Sequence, residues 1–233
     1  MTPAVNLELP ALRARLGEAR GVFVTGTDTG VGKTVFSSAL ARALVREGLR
    51  VAGMKPVAAG AEATAAGLRN EDALALAAAS NVAAPYESIN PYCLVAAVSP
   101  HIAAAEEGVT VDPLFVKSHF GRLASLADFV VAEGAGGWLA PISPDRTMAD
   151  IALALELPVL LVVGLRLGCL SHSLLTRDSI VASGLPFAGW VANRIDPQFA
   201  RATENLDTLT VRLGGAPLAI VDFQPALQAP ATP

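Results

Sequence analysis

Short runs of apolar residues alternate along this chain with amphipathic stretches of helical length, and this alternation restricts the fold more than any other feature. Runs such as Phe129–Ala132 and Val159–Val163 are apolar at every position. A strand with one face in water would alternate apolar and polar side chains, so these strands are expected to be buried on both faces. The pattern therefore predicts a single doubly wound α/β fold with a mostly parallel sheet.

The predicted elements fill one domain. The expected strands are Val22–Thr25, Arg50–Lys55, Phe129–Ala132, Val159–Val163, Phe187–Ala192 and Leu218–Val221. The expected helices are one ending near Glu47, then Asp72–Ala79, Asp112–Ala127, Thr147–Glu156, Leu170–Ser183 and Gln198–Arg212. We expect residues 21–223 to form the α/β domain, residues 1–20 an N-terminal arm with one exposed helix, and residues 224–233 a loose tail.

The composition excludes several classes of function. The chain has 233 residues, of which 52% are hydrophobic and 16% charged, so a large core is expected and disorder is not. The net charge of −4 provides no bulk positive field for nucleic acid. No apolar run has the length of a membrane span. Two cysteines, and no leader-like segment at the start, favour a cytoplasmic protein without membrane contact.

The first predicted strand runs into a glycine-rich turn and then a helix. The turn reads Gly-Thr-Asp-Thr-Gly-Val-Gly-Lys-Thr over residues 26–34. Backbone N–H groups of such a turn, with the positive end of the following helix, surround a polyphosphate, the lysine reaches its terminal phosphates, and the last hydroxyl ligates Mg²⁺. The strict pattern has glycine at position 27, where this chain has Thr27 after Gly26. The residues predicted to contact ATP here are Thr27, Asp28, Thr29, Gly30, Val31, Gly32, Lys33 and Thr34, which indicates an architecture like that of P-loop NTPases.

Charged residues follow two other strands, where the carboxyl edge of a parallel sheet would bring them to the phosphate loop. Lys55 ends the second strand, and Glu133 follows the apolar run Phe129–Ala132. Asp72 begins a helix between them. We predict that Thr34, Asp72 and Glu133 hold Mg²⁺ while Lys33 and Lys55 neutralise the transferred phosphate as catalytic residues. Three plainer alternatives stay open: Asp72 as a helix N-cap, Lys55 as a solvated lysine and Glu133 as a surface carboxylate.

Further strings, in order along residues 20 to 195, resemble the dethiobiotin synthetases. They are Val24–Thr29 with Val31–Thr34, Ala52–Val57, Gly67–Asn70 with Asp72–Leu74, Asn90–Tyr92, Ser99–Ile102, Glu133–Trp138, Leu167–Cys169 with His172, and Gly189–Asn193. The glycine-rich strings around positions 26 and 134 are much narrower signals than a bare phosphate loop. The chain is identified on these strings as a member of that family.

The resemblance implies carboxylation and ring closure of 7,8-diaminononanoate with CO₂ and ATP, through a carbamate and a carbamic-phosphoric anhydride, to give dethiobiotin for biotin. It implies that Thr29, Lys55, Glu133 and Gly136 lie beside the diamine and that Asn193 contacts the adenine. It also implies that the helix start at Gly168, Cys169 and Ser171 binds the distal carboxylate, with both subunits of a homodimer contributing.

The chain departs from the family pattern at three places. Ala58–Gly60 has no small hydroxyl residue, Ser171 replaces an asparagine of some relatives, and Ile220–Phe223 replaces a Gly-Glu-Ile-Pro-like string near the ribose. The last departure affects the expected ribose contacts and the strictness of the ATP preference, but it does not touch the phosphate chemistry.

Three rival functions fit the sequence less well. Amidases that build cobyrinic acid diamide need a glutaminase domain, and this chain is too short to include one. ATP switches of the partitioning or division-site type carry an extra lysine where this chain has Asp28. A nucleotide-binding regulator that has lost activity is disfavoured because the chain has all of Lys33, Thr34, Lys55, Asp72 and Glu133.

Overall fold

The computed structural model describes residues 5–223, and the predicted tail at 224–233 lies outside them. The strands are β1 (Val5–Leu7), β2 (Gly21–Gly26), β3 (Val51–Met54), β4 (Val57–Ala59), β5 (Glu62–Thr64), β6 (Gly67–Arg69), β7 (Tyr92–Leu94), β8 (Phe129–Glu133), β9 (Val159–Gly164), β10 (Phe187–Asn193) and β11 (Ala219–Val221). The helices are α1 (Leu9–Leu16), α2 (Lys33–Arg46), α3 (Glu71–Ala79), α4 (Tyr86–Ile89), α5 (Pro100–Glu106), α6 (Pro113–Leu126), α7 (Met148–Leu155), α8 (Cys169–Ala182) and α9 (Ala202–Arg212).

The main sheet has seven strands in the order β1-β11-β10-β9-β2-β8-β3. Six of them are parallel, and only β1 runs antiparallel, along β11. Strand β2 lies in the middle, between β8 and β9. From β2 the chain places β3 at one edge, inserts β8 between them, and then adds β9, β10 and β11 on the other side of β2. Strands on both sides of β2 confirm the predicted doubly wound α/β fold. In such sheets ligands bind at the carboxyl ends of the strands.

Helices cover both faces of the sheet because successive side chains of each strand point in opposite directions. Phe23 of β2 packs on the face that carries α6 and α7. Its neighbours Val22 and Val24 pack on the other face, against Phe36 and Leu40 of α2. This two-sided burial explains why the central strands are apolar at almost every position.

The N-terminal residues, predicted to form an arm, pack partly against the core. The expected helix exists as α1, but its Leu12 and Leu16 side chains are 0% and 7% exposed and belong to the core. The preceding residues add β1 to the free edge of β11. The expectation of an exposed helix therefore holds for one side of α1, while the two leucines, four residues apart, form an apolar stripe that is buried.

Two small ribbons lie outside the main sheet and were not predicted. Strands β4 and β7 pair in parallel, and β5 and β6 form an antiparallel hairpin. Both ribbons follow Lys55 and Pro56, where the chain leaves the edge of the main sheet. Over residues 5–223, no helix combines the length and apolar character needed to cross a membrane.

Candidate active site

Four strands of the sheet deliver polar residues to one edge. Strand β2 ends in the glycine-rich loop, β3 is followed by Lys55, β8 ends with Glu133 and β10 ends with Asn193. These strands are parallel, so their carboxyl ends meet at the same side of the sheet. The fold thus brings the charged residues predicted from the sequence around the start of α2.

The loop between β2 and α2 is fixed by close contacts that only glycine permits. Gly32 has φ of +87°, and a Cβ there would lie 2.0 Å from Nδ2 of Asn193. That amide donates to the carbonyl of Val31 at 2.9 Å. A Cβ on Gly26 would lie 2.6 Å from Cγ2 of Val31. Gly26, one place earlier than the strict pattern demands, is therefore required by packing within the loop.

Lys33 is the first residue of α2, and its side chain turns back over the loop. Its ammonium donates to the carbonyl of Asp28 at 3.0 Å, and the residue is 7% exposed. Burial, followed by the positive charge of Lys55, lowers the pKa of Lys33 to about 8. A bound anion would offset both effects, so a phosphate is favoured beside this ammonium.

The Lys55 ammonium lies between two carboxylates. It donates to Oδ2 of Asp72 at 2.7 Å, to Oε1 of Glu133 at 2.6 Å and to the carbonyl of Gly134 at 3.4 Å. Burial by itself would lower the pKa of Lys55, but the charges of Glu133 and Asp72 outweigh it and the pKa is raised. The residue is 3% exposed, which excludes the solvated-lysine alternative.

The plain alternatives for the two carboxylates are also excluded. Asn70, not Asp72, is the N-cap of α3, since its side chain accepts from the backbone N–H of Ala73. Burial alone would raise the pKa of Asp72, but the ion pair with Lys55 lowers it. Glu133 is fully buried and accepts a 2.7 Å hydrogen bond from the hydroxyl of Thr34.

The predicted metal ligands form one cluster of hard oxygen donors. The second oxygen of Glu133, Oε2, is buried without a hydrogen-bond partner. Thr34, Asp72 and Glu133 offer one hydroxyl and two carboxylates, which suits Mg²⁺. Within residues 5–223, no three His, Cys, Asp or Glu side chains converge as a metal site of their own. The metal role of these three residues therefore stays a prediction.

A cavity of about 600 Å³ opens above the loop. Its lining residues are Thr29, Gly30, Gly32, Lys33, Thr34, Val35, Ser38, Arg42, Lys55, Glu71, Asp72, Ala75 and Gly136. Several predicted site residues lie outside this lining, namely Thr27, Asp28, Val31, Glu133, Gly168, Cys169, Ser171 and Asn193. Glu133 lies beneath the cavity, where its carboxylate accepts from Lys55 and Thr34.

The start of α8, predicted to bind the distal carboxylate, lies apart from the cavity lining. Gly168 precedes the helix with φ of +95°, Cys169 is 3% exposed and Ser171 is exposed. Burial raises the pKa of the Cys169 thiol, so the helix start does not make it a nucleophile. The carboxylate role of these residues remains a prediction.

The chain is similar to known proteins in both sequence and fold. The profile of a family described as an AAA domain matches residues 20–231. The ATP-dependent dethiobiotin synthetase BioD of Aromatoleum aromaticum is 51% identical over 204 residues, which cover 88% of this chain and 91% of the relative. The enzyme of the same name from Xanthomonas oryzae pv. oryzae is 49% identical over 90% of this chain and 93% of the relative.

The chain belongs to the ATP-dependent dethiobiotin synthetases. The resemblance inferred from the sequence strings is thereby confirmed.

Among solved structures, this dethiobiotin synthetase family member shares its fold with P-loop ATPases. The MinC:MinD cell division complex of Aquifex aeolicus superposes with a TM-score of 0.56 at 16% identity, covering 89% of this chain and 83% of that chain. MinD of Pyrococcus horikoshii, solved with Mg-ADP, gives a TM-score of 0.52 at 16% identity, covering 86% of this chain and 80% of that chain. At this identity the likeness establishes the α/β P-loop fold alone.

The structure adds site residues that the sequence did not indicate for this synthetase. Ser38 and Arg42 extend the cavity along α2, and Glu71 and Ala75 line it from α3. Arg166, in the turn after β9, forms an ion pair with Asp28 of the phosphate loop. The sequence could have indicated Ser38 and Arg42 by their spacing. They follow Thr34 at intervals of four residues, which places them on the same side of α2.

Proposed function

We propose that this enzyme closes the ureido ring of dethiobiotin from 7,8-diaminononanoate, CO₂ and ATP, releasing ADP and phosphate, as a step of biotin biosynthesis. Family membership at about half identity over most of the chain supports the reaction. The observation that carries the chemistry is the pair of buried lysines, Lys33 and Lys55, at one edge of the sheet beside Glu133. The other features of the site agree with that reaction.

The proposed reaction has three steps. One amine nitrogen of the diamine attacks the carbon of CO₂ and loses a proton, which gives a carbamate. A carbamate oxygen then attacks the γ-phosphorus of ATP, the bond to the bridging oxygen breaks, and ADP leaves. The second amine attacks the carbonyl carbon of the resulting anhydride and loses a proton, phosphate departs with the bonding electrons, and the cyclic urea remains.

The second step requires two anions, carbamate and γ-phosphate, to approach each other. Fixed positive charge in a water-poor site lowers the cost of that approach. Lys33 and Lys55 supply this charge, and the raised pKa of Lys55 keeps its ammonium protonated. Since a loose phosphoryl transition state needs little besides charge and alignment, two fixed ammonium groups meet most of the demand.

Magnesium is part of the proposal. Thr34, Asp72 and Glu133 would hold the ion, and the unpartnered Oε2 of Glu133 supports this because a buried carboxylate oxygen favours a cation. The ion would neutralise charge on the β- and γ-phosphates. Lys55 already bonds one oxygen of each carboxylate, and the hydroxyl of Thr34 donates to the same Oε1 of Glu133, so these contacts hold the proposed ligands together.

The diamine is assigned to the cavity beside Thr29, Lys55 and Gly136, which line it. Gly136 has φ of +63°, and an added Cβ would lie 3.0 Å from Cβ of Ala140. A glycine there leaves the backbone free to approach the substrate. The distal carboxylate is assigned to Gly168, Cys169 and Ser171, and the enzyme is proposed to work as a homodimer.

The test is product formation from the diamine with ¹³C-bicarbonate, ATP and Mg²⁺, followed by mass spectrometry and by phosphate release. We expect dethiobiotin with the label in its urea carbonyl, and phosphate release that depends on the diamine. Phosphate release that ignores the diamine, without labelled product, would indicate an ATP switch and contradict the proposal.

A further inference from the structure

Two asparagines in the family-like strings, Asn70 and Asn90, have no role in the proposed chemistry, yet both are buried. They are 7% and 2% exposed. A buried amide needs hydrogen-bond partners, so the partners of these two side chains show what each one fixes.

Asn90 fixes the backbone of Lys55. Its Nδ2 donates to the carbonyl of Lys55 at 2.7 Å and to the carbonyl of Tyr92 at 3.0 Å. The N–H of Lys55 donates to the carbonyl of Ile89 at 2.7 Å. Lys55 follows the last residue of β3, and its backbone polar groups bond to the last residue of α4 and to the residue after it. The position of the ammonium therefore depends on this end of α4.

Asn70 fixes the start of α3, the helix that carries Asp72. Its Oδ1 accepts from the N–H of Ala73 at 3.3 Å, as an N-cap does. Its Nδ2 donates to the carbonyls of Ala59 and Gly60 at 3.3 Å and 3.4 Å. This amide thus attaches the first turn of α3 to the end of β4.

One hydroxyl joins the two asparagines. Oη of Tyr86 accepts from the backbone N–H of Asn70 at 2.8 Å and donates to Oδ1 of Asn90 at 3.2 Å. The guanidinium of Arg69 lies 4.1 Å from the centre of the Tyr86 ring and covers it. Burial raises the pKa of Tyr86 to about 12, so the hydroxyl keeps the proton that it donates.

These contacts close a ring: Lys55 to Asn90, Asn90 to Tyr86, Tyr86 to Asn70, Asn70 through the first turn of α3 to Asp72, and Asp72 back to Lys55. We propose that Asn70, Tyr86 and Asn90, here called the tyrosine clamp, are positioning residues that hold the Lys55 ammonium against Asp72 for the reaction. The inference rests on the proposed function. It deepens that function by assigning residues that contact no substrate.

Tyr86→Phe is the direct test, because it removes only the joining hydroxyl. Tyr92→Phe is the matched control. The Tyr92 hydroxyl also accepts one backbone N–H, from Asp112 at 2.9 Å, but it takes no part in the clamp. We expect Tyr86→Phe to lower kcat about 10- to 100-fold, as a misplaced catalytic group does, and to leave the KM for ATP within about twofold. The control should keep wild-type kinetics.

A double variant separates positioning from a general loss of stability. If the clamp acts through Lys55, Tyr86→Phe should cause no further fall in kcat once Lys55→Ala is present. A merely structural role would give the same fold-loss in both backgrounds, and that result would overturn the proposal. If Tyr86→Phe fails to fold, Asn70→Ser decides, because serine keeps the N-cap acceptor and removes the donors to Ala59 and Gly60.

A readout without turnover distinguishes failure of the clamp from failure of the proposed function. Reductive methylation of Lys55, followed by peptide mass spectrometry with the exposed Lys117 as internal standard, measures access to the ammonium directly. We expect several-fold faster methylation in Tyr86→Phe than in wild type and no change in Tyr92→Phe. Unchanged methylation with unchanged kcat would refute the clamp, while absence of product from wild type with faster methylation would refute only the assigned reaction.

Discussion

At the scale of single residues, two neighbouring lysines have opposite electrostatic surroundings. Lys33 bonds to a neutral carbonyl, and its pKa falls to about 8. Lys55 is buried more deeply but meets two carboxylates, and its pKa rises. Because a phosphate would supply the negative charge that Lys33 lacks, we infer that Lys33 responds to the nucleotide while Lys55 is positioned before any ligand arrives.

The first prediction concerns Lys55. Replacing it with alanine removes a preorganised charge and leaves Asp72 and Glu133 facing each other, so we expect kcat/KM to fall by about 10²- to 10³-fold. The measurement is steady-state formation of dethiobiotin. Lys117→Ala is the control, since that lysine pairs with Glu156 on the surface. Normal turnover by Lys55→Ala would show that its assigned role is wrong.

The sequence predicted the charged members of the site because their positions follow from the fold. Lys55 and Glu133 come directly after apolar strands, and parallel strands bring such positions to one edge. The tyrosine clamp could not be predicted in the same way. Its contacts join α3, α4 and the end of β3 across irregular turns, where no periodicity relates one residue to another.

At the scale of elements, the strands that were predicted correctly are those buried on both faces. Strands β8, β9 and β10 match the predicted ranges to within one residue at each end. The missed strands, such as β5, are three residues long, and β5 is fully exposed, so it has no apolar run to reveal it. Helix α9 begins at Ala202 rather than Gln198, because Arg201 before it has φ of +58° and interrupts the helix.

The second prediction tests the N-terminal packing. Leu12→Ala should lower the free energy of unfolding by about 2–5 kcal/mol, because the Leu12 side chain is fully buried in α1. Arg13→Ala on the exposed side of the same helix should change it by less than about 0.5 kcal/mol. Urea denaturation followed by circular dichroism measures both variants. Equal effects of the two substitutions would show that α1 does not contribute to the core.

At the scale of the whole molecule, one surface of α8 suggests where a second copy would lie. Leu175 on α8 is 69% exposed and lies one helical turn after the exposed Ser171, and Leu167, in the turn just before the helix, is 90% exposed. Large apolar side chains flanking a proposed carboxylate site are typical of a surface covered by a partner. We therefore expect the homodimer to form through this surface.

The third prediction follows from that surface. Leu175→Glu should convert the dimer to monomers and raise the KM for the diamine, since the carboxylate site would lose its second subunit. Val211→Glu is the control, because Val211 is 78% exposed but lies on α9. Light scattering coupled to gel filtration gives the mass. A monomeric wild type, or a Leu175→Glu variant that remains dimeric, would disprove this interface.

The carboxylates around Lys55 make its primary amine behave differently from the primary amines of the proposed substrate. In the proposed reaction the substrate presents primary amines that must be uncharged to attack carbon, while the protein presents a primary amine that must stay charged. Asp72 and Glu133 separate these two behaviours because their ion pairs stabilise the proton on Lys55. Moderately alkaline conditions can thus deprotonate the substrate's amines while Lys55 stays protonated. Any loss of activity at alkaline pH should arise from other groups.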